Sequence, residues 1–431
     1  MEPERVPVRR LFGRRVTRRW GAAAVITAVA ASIIFSGSAA TADPVRDKEY
    51  WLDTYGIRAA WATTKGAGVT IAIIDTGVDA SVAELAGAVV GGADFSGLGS
   101  PNGQKPVGAD GSEHGTMVAS LAVGRGTSAT DGVIGSAPAA SILAISIGFG
   151  EGGTNSDDQI AAAVRFAVDQ GADVINMSLT RNTLDWPETW DDAFLYAIDN
   201  DVVVVAAAGN RGSGTTEVGA PATMPGILTV GGVDINGQAS FDASSQGITI
   251  AVSAPSEELV GVIPGGQYVE WSGTSGATPI VAGVVALVRA AHPELDANNV
   301  INRVISTARD AGAQGADPIY GFGLINAKAA VEASVPRVTE NPMGSLAEWI
   351  TVHRRAPSTA APTSTPLAPS TSAPAPGVSE SAGAQNPLGT ILPTVSLLRN
   401  VGIPLAVVLL FLGGFIVVVV LGVQRVRASR Q

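Results

Sequence analysis

The feature that most limits what this chain can fold into is a series of short apolar runs without alternation, separated by segments with helical spacing. The runs lie at 69–74 (VTIAII), 141–147 (SILAISI), 174–177 (VINM) and 202–208 (VVVVAAA). Between them, Ile160, Val164, Ala167 and Val168 recur at helical spacing over 157–170, and a second such segment falls near 193–200. A strand exposed on one face alternates, whereas one covered on both faces is apolar throughout. The pattern therefore predicts an α/β fold with three layers, a mostly parallel sheet with helices on both faces. Polar groups in such sheets act at the carboxyl ends of the strands. Asp75 directly follows the first run, and Asn210 closely follows the fourth.

Composition agrees with this and sets limits on function. Hydrophobic residues make up 46% of the chain but aromatics only 5%, so small aliphatic side chains must build the core. The net charge of -11 understates the acidity of the middle, because seven arginines lie in the first 20 residues and Arg425, Arg427 and Arg430 lie at the end. So acidic a middle repels phosphate backbones and argues against nucleic-acid binding. With no cysteine, the chain has no disulfide, thiolate nucleophile or cysteine-ligated metal.

Both ends carry membrane-directed signals. The arginine-rich start, an apolar run from Trp20 to just past Phe35, and Ala40-Thr41-Ala42 read as a signal peptide over 1–42. Arginine pairs at 9–10, 14–15 and 18–19 leave Sec and twin-arginine export both open. Residues 401–423, bounded by Val401 and Val423, are apolar and uncharged, long enough to cross a hydrocarbon core of about 30 Å. The arginines beyond place a tail at 425–431 in the cytoplasm and everything upstream outside. A transmembrane helix is therefore expected over 399–424, with the chain a single-pass protein of the cell membrane. The stretch 356–387 is rich in Pro, Ser, Thr and Ala and reads as an extended linker within a stem of 337–398. The remainder divides into an N-terminal extension, 43–64, and one globular domain, 65–336.

Three motifs in that domain bear on chemistry: Asp75-Thr76-Gly77, His114-Gly115-Thr116-Met117-Val118-Ala119, and Gly273-Thr274-Ser275-Gly276-Ala277-Thr278-Pro279. Taken singly they read as a strand-end turn, a helix start and an N-cap. The chain holds three histidines; His292 sits at a helix end and His353 in the stem, which leaves His114 as the candidate base. A serine hydroxyl becomes nucleophilic when an imidazole takes its proton, and the imidazole needs a carboxylate to fix its tautomer. A helix start at Ser275 also aims backbone N–H groups at a developing oxyanion. Asn210, ending Ala-Ala-Ala-Gly-Asn, could supply a second donor or simply cap a turn.

In their order Asp, His, Ser and in their sequences, these motifs resemble those of the subtilisin-like (subtilase) serine proteases, over roughly residues 65–331. The resemblance implies that Asp75 orients the imidazole, His114 is the general base and Ser275 the nucleophile. It places Asn210 and the Ser275 amide in the oxyanion hole. It implies a serine endopeptidase acting on protein or peptide substrates, with no cofactor required for the chemistry. It further implies that Ala144, Ile145, Ser146, Ile147 and Gly148 form an edge on which an extended substrate pairs, with Ser178, Leu179 and Thr180 as the opposite wall. Thr180 stands where the family commonly has glycine, which narrows the cleft. Glu113, beside His114, either raises the imidazole pKa or faces solvent.

Other features set this chain apart within the family. The extension is too short for the folded pro-domain of many secreted relatives, so Trp51, Tyr55 and Trp61 are expected to pack on the catalytic domain. Structural calcium is conceivable, but Asp157, Asp158, Asp191 and Asp192 read as helix-start and surface charges, with no spaced oxygen-ligand loop. The layout is similar to that of the mycosins, membrane-anchored subtilases associated with type VII secretion. That similarity brings secretion-complex partners into view and, as an alternative function, a structural role with proteolysis secondary.

Overall fold

The computed structural model describes residues 44–108, 112–149 and 155–354. The expected signal peptide, the expected linker and the apolar segment 401–423 lie outside the described residues. Seven strands form the main sheet: β1 (Thr70–Asp75), β2 (Val89–Asp94), β3 (Ser141–Ser146), β4 (Val174–Met177), β5 (Val203–Ala207), β6 (Leu228–Val233) and β7 (Ile250–Pro255). Their spatial order is β2-β3-β1-β4-β5-β6-β7, and every neighbouring pair is parallel. A separate antiparallel hairpin joins β8 (Leu259–Val262) to β9 (Tyr268–Trp271).

The period of two along each strand divides the interior into two cores. Ile71, Ile73, Val203 and Val205 face one core, while Ala72, Ile74, Val204 and Ala206 face the other. Into the first core pack three short N-terminal helices, α1 (Pro44–Lys48), α2 (Trp51–Thr54) and α3 (Ile57–Ala60), with α4 (His114–Val123). The second core is closed by α5 (Ser156–Asp169) and α6 (Glu188–Asp199). Returning to the first core, α7 (Thr274–Ala291) crosses under the sheet, followed by α8 (Ala297–Ser306) and α9 (Ala327–Glu332). By length and composition α7 could span a membrane, yet it is mostly buried inside the domain. The result is three layers around a parallel sheet, as the unbroken apolar runs require.

Both margins of the domain are tied down. Trp51, Leu52, Tyr55 and Ile57 are buried in the first core, and the Trp61 indole donates to the Ser136 carbonyl at 2.8 Å. Burial pushes the Tyr55 phenol up to about 12, although the Arg309 guanidinium nearby favours its anion. At the other margin, residues 337–354 differ from the stem expected there. A last helix, α10 (Leu346–His353), buries Leu346 in the second core and stacks Trp349 on Trp186, with centroids 4.2 Å apart. Arg354 closes this end, pairing with Asp191 at 2.9 Å and donating to the Trp186 carbonyl at 2.8 Å. Leu346, Trp349 and Ile350, at helical spacing, are the signal the sequence held for it.

Candidate active site

The first half of the site is built where β1 ends. Asp75 is fully buried, accepting from the Thr76 amide at 2.7 Å. Its two oxygens lie 2.8 and 3.0 Å from Nδ1 of His114, the first residue of α4. A carboxylate only accepts, so Nδ1 carries the proton and Nε2 is left as the basic nitrogen. Helix α4 starts here because the Thr76 hydroxyl accepts the Gly115 amide at 3.0 Å and donates to the Ser112 carbonyl at 3.2 Å. A Cβ on Gly115 would come within 2.2 Å of the Gly77 oxygen, so glycine alone lets helix and strand end approach this closely.

The surroundings favour the imidazolium. Burial opposes the cation, but the charge and hydrogen bond of Asp75, with a further contribution from Glu113, outweigh it and raise the His114 pKa above its usual value. The side chain remains 27% exposed, open to the cleft. Of the two roles open to Glu113, its charge beside the imidazole therefore favours the electrostatic one. The Trp271 ring meets the imidazole edge to face, with centroids 5.8 Å apart.

The second half is built where α7 begins. Pro279 lies inside this helix and has no N–H to give the carbonyl of Ser275, four residues earlier. The Ser178 hydroxyl takes that carbonyl instead, at 2.8 Å, and is itself held by Asn176 Nδ2 at 3.0 Å. In return, the Ser275 hydroxyl donates to the Ser178 carbonyl at 3.2 Å. Asn210 Oδ1 accepts from the amide and the hydroxyl of Thr274, at 2.8 and 3.0 Å. Because the amide N–H can only donate, this fixes which way the Asn210 carboxamide points and leaves Nδ2 as its free donor.

These groups share one cavity of ≈ 380 Å³, lined among others by His114, Ser275, Asn210, Ser178, Leu179 and Thr180. The strand expected to pair substrate is placed differently. Ala144, Ile145 and Ser146 pair with β1 on one side and β2 on the other, so neither edge is open. The Ile147 amide is bound to the Asp75 carbonyl at 2.8 Å and the Gly148 amide to Gln159 Oε1 at 2.7 Å, both residues being buried. From this stretch it is Phe149, half exposed, that lines the cavity. A central strand and an edge strand both read as apolar runs, so the sequence could not separate them. Phe149, Asn182 and Thr215 join the cavity from loops and Ser213 from a three-residue 3-10 turn, where periodicity gives no signal. Among the described residues no group of three or more metal-binding side chains comes together; Asp157 pairs with Arg181, and Asp191 with Arg354.

A parallel α/β domain that joins Asp-His to a serine at a helix start is an architecture of serine hydrolases, and the comparisons with known proteins narrow it to a serine endopeptidase and give its family. Residues 66–323 match the subtilase family, and the chain belongs to it. Over 274 residues it is 39% identical to subtilisin DY of Bacillus licheniformis, covering 62% of this chain and 92% of that protein. Among solved structures, it is similar to MycP1 from the ESX-1 type VII secretion system at 32% identity and a TM-score of 0.59, over 67% of this chain and 86% of that one. It is also similar to fervidolysin from Fervidobacterium pennivorans, a keratinolytic enzyme, at 30% identity and the same TM-score. That match covers 67% of this chain and 46% of fervidolysin.

Proposed function

We propose that Asp75, His114 and Ser275 are the catalytic triad of this endopeptidase, and that it works at the outer face of a membrane. The observation that carries the assignment is the contact of Asp75 with Nδ1, which leaves Nε2 as the basic nitrogen of His114, a residue that lines the same cavity as Ser275. The Ser275 hydroxyl bond to Ser178 is long for O–H···O and easily exchanged. Rotation about χ1 turns the hydroxyl to His114. His114 then takes the proton as Ser275 Oγ attacks the substrate carbonyl carbon, while Asp75 stabilises the imidazolium. Asn210 Nδ2 and the Ser275 amide hold the resulting oxyanion. Collapse breaks the C–N bond, with His114 returning its proton to the leaving nitrogen. Water, deprotonated by the same imidazole, releases the acyl group.

Ser178, Leu179 and Thr180 form one wall for the acyl side of the substrate in this reading, and Phe149 begins the other. The membrane placement is supported by the arginine-flanked apolar segment 401–423 and the signal-like start. Resemblance to MycP1 of a type VII secretion system favours a second reading, in which this domain is also a component of such a complex.

Covalent labelling of the full-length protein with a fluorophosphonate tests the triad. Wild type should label while Ser275→Ala and His114→Ala do not. Folded wild-type protein that resists labelling would sink the assignment and leave the structural role in front.

A further inference from the structure

A second cavity lies beside His114, lined by none of Ser178, Leu179 and Thr180, and its chemistry is different. It measures ≈ 450 Å³ and is bounded by Ser112, Glu113, Met117, Ile263, Glu270 and Trp271. Two of these residues adjoin His114 directly, Glu113 along the chain and Trp271 through its ring. In the mechanism above, His114 delivers its proton to the leaving nitrogen. The residue attached to that nitrogen must therefore emerge past the imidazole, over Trp271 and towards this cavity.

We infer that this cavity is the subsite for a lysine or arginine on the leaving-group side of the scissile bond, selected by Glu113 and Glu270. The inference rests on the catalytic reading of the preceding subsection. Its walls suit a long aliphatic stem, with Met117 and Ile263 forming apolar surface and the two carboxylates receiving the charged head. Among the described residues Glu113 has no ion-pair partner. Glu270 is paired with the ammonium group of Lys48 from α1. Both members of that pair are about half exposed, so it is weak and exchangeable against an incoming cation. A substrate with Glu at the same position would meet two like charges instead.

The test uses the full-length enzyme in detergent and quenched-fluorescence peptides sharing one acyl side. Lys, Arg, norleucine or Glu is placed at each of the first two leaving-side positions. Rates are normalised to an acyl p-nitroanilide, which has no leaving-side residue, so a general loss of activity cancels. At one of the two positions Lys and Arg should exceed norleucine by about 3- to 10-fold in kcat/KM, with Glu lowest, and the preference should shrink as salt is raised. The variant carrying both Glu113→Gln and Glu270→Gln should bring the lysine-to-norleucine ratio to about 1. Equal rates for all peptides in wild type, or a ratio that survives the double variant, overturns the subsite alone. No cleavage of any substrate overturns the catalytic reading and the subsite with it.

Discussion

Two cavities of nearly equal size, ≈ 380 Å³ at His114 and Ser275 and ≈ 370 Å³ at the far end of the sheet beside β7, separate what makes a candidate site from what makes a hollow. The distant one is lined largely by Met224, Pro225, Ile227, Ile250, Phe322 and Met343. Its single carboxylate, Asp317, is already occupied by the amides of Ile319, Tyr320 and Ala313, at 2.7, 2.9 and 3.1 Å. In the cavity of His114 and Ser275, two polar groups are only half used. His114 engages Nδ1 and keeps Nε2, while Asn210 engages Oδ1 and keeps Nδ2. The distant cavity has an unpartnered hydroxyl too, that of Thr249, so what sets the cavity of His114 and Ser275 apart is the kind of free group it gathers, a basic imidazole nitrogen with an amide donor, and not its volume.

The comparison can be pushed until it fails. The largest effect on chemistry in this set should come from Asn210→Ala, which removes a donor without emptying a core. A fall of about 10²–10³ in kcat is expected, the size known for the matching amide in subtilisin itself, with KM little moved. Steady-state kinetics showing an unchanged kcat would deny Asn210 its place in the oxyanion hole. Met224→Ala in the distant cavity should do the reverse. It deletes a buried side chain at a cost of about 2–5 kcal/mol, read by denaturant unfolding, yet fluorophosphonate labelling below the unfolding transition should persist. Lost labelling in a folded Met224→Ala protein would mean that the two regions are coupled.

The smallest effect concerns pH. His114 must be neutral to accept the Ser275 proton, and its pKa is raised, so the acid limb of kcat/KM should lie above that of an ordinary histidine. Glu113→Gln removes one of the charges that favour the imidazolium, so the limb should move to lower pH while the high-pH plateau keeps its shape. An unmoved limb in the pH–rate profile would show that Glu113 acts on substrate alone.

Much of this architecture was legible before any coordinates, for a physical reason. Buried parallel strands and the helices that cover them write their period into the chain, and β1, β3, β4 and β5 fall within a residue or two of the apolar runs. The helix read at 157–170 is α5, Ser156–Asp169. Helix α6 begins a turn and more before the segment near 193, because Pro187 supplies its N-cap and Trp190 already faces the core. Strand β2 went unread because it lies at the sheet edge with Gly91 and Gly92 in it and Val90 exposed. Asp75, His114, Ser275 and Asn210 stand out as candidates through the order of their motifs and the resemblance it carries, since singly each reads as a turn, a helix start or a cap. Ala144 to Gly148 were misplaced as an edge because pairing partners belong to tertiary structure, and the loop residues of the cavity carry no pattern at all.

The proline inside α7 has a consequence for how such a chain can change over generations. Because Pro279 cannot supply an amide, the carbonyl of Ser275 depends on a hydroxyl donated from position 178, 97 residues away in sequence. The two positions are thus epistatic: with proline at 279, loss of the hydroxyl at 178 strands the carbonyl of Ser275, whereas an ordinary residue at 279 would make the same loss mild. Substitutions here are tolerated in one order and resisted in the other, so the history of the helix restricts the wall of the cleft.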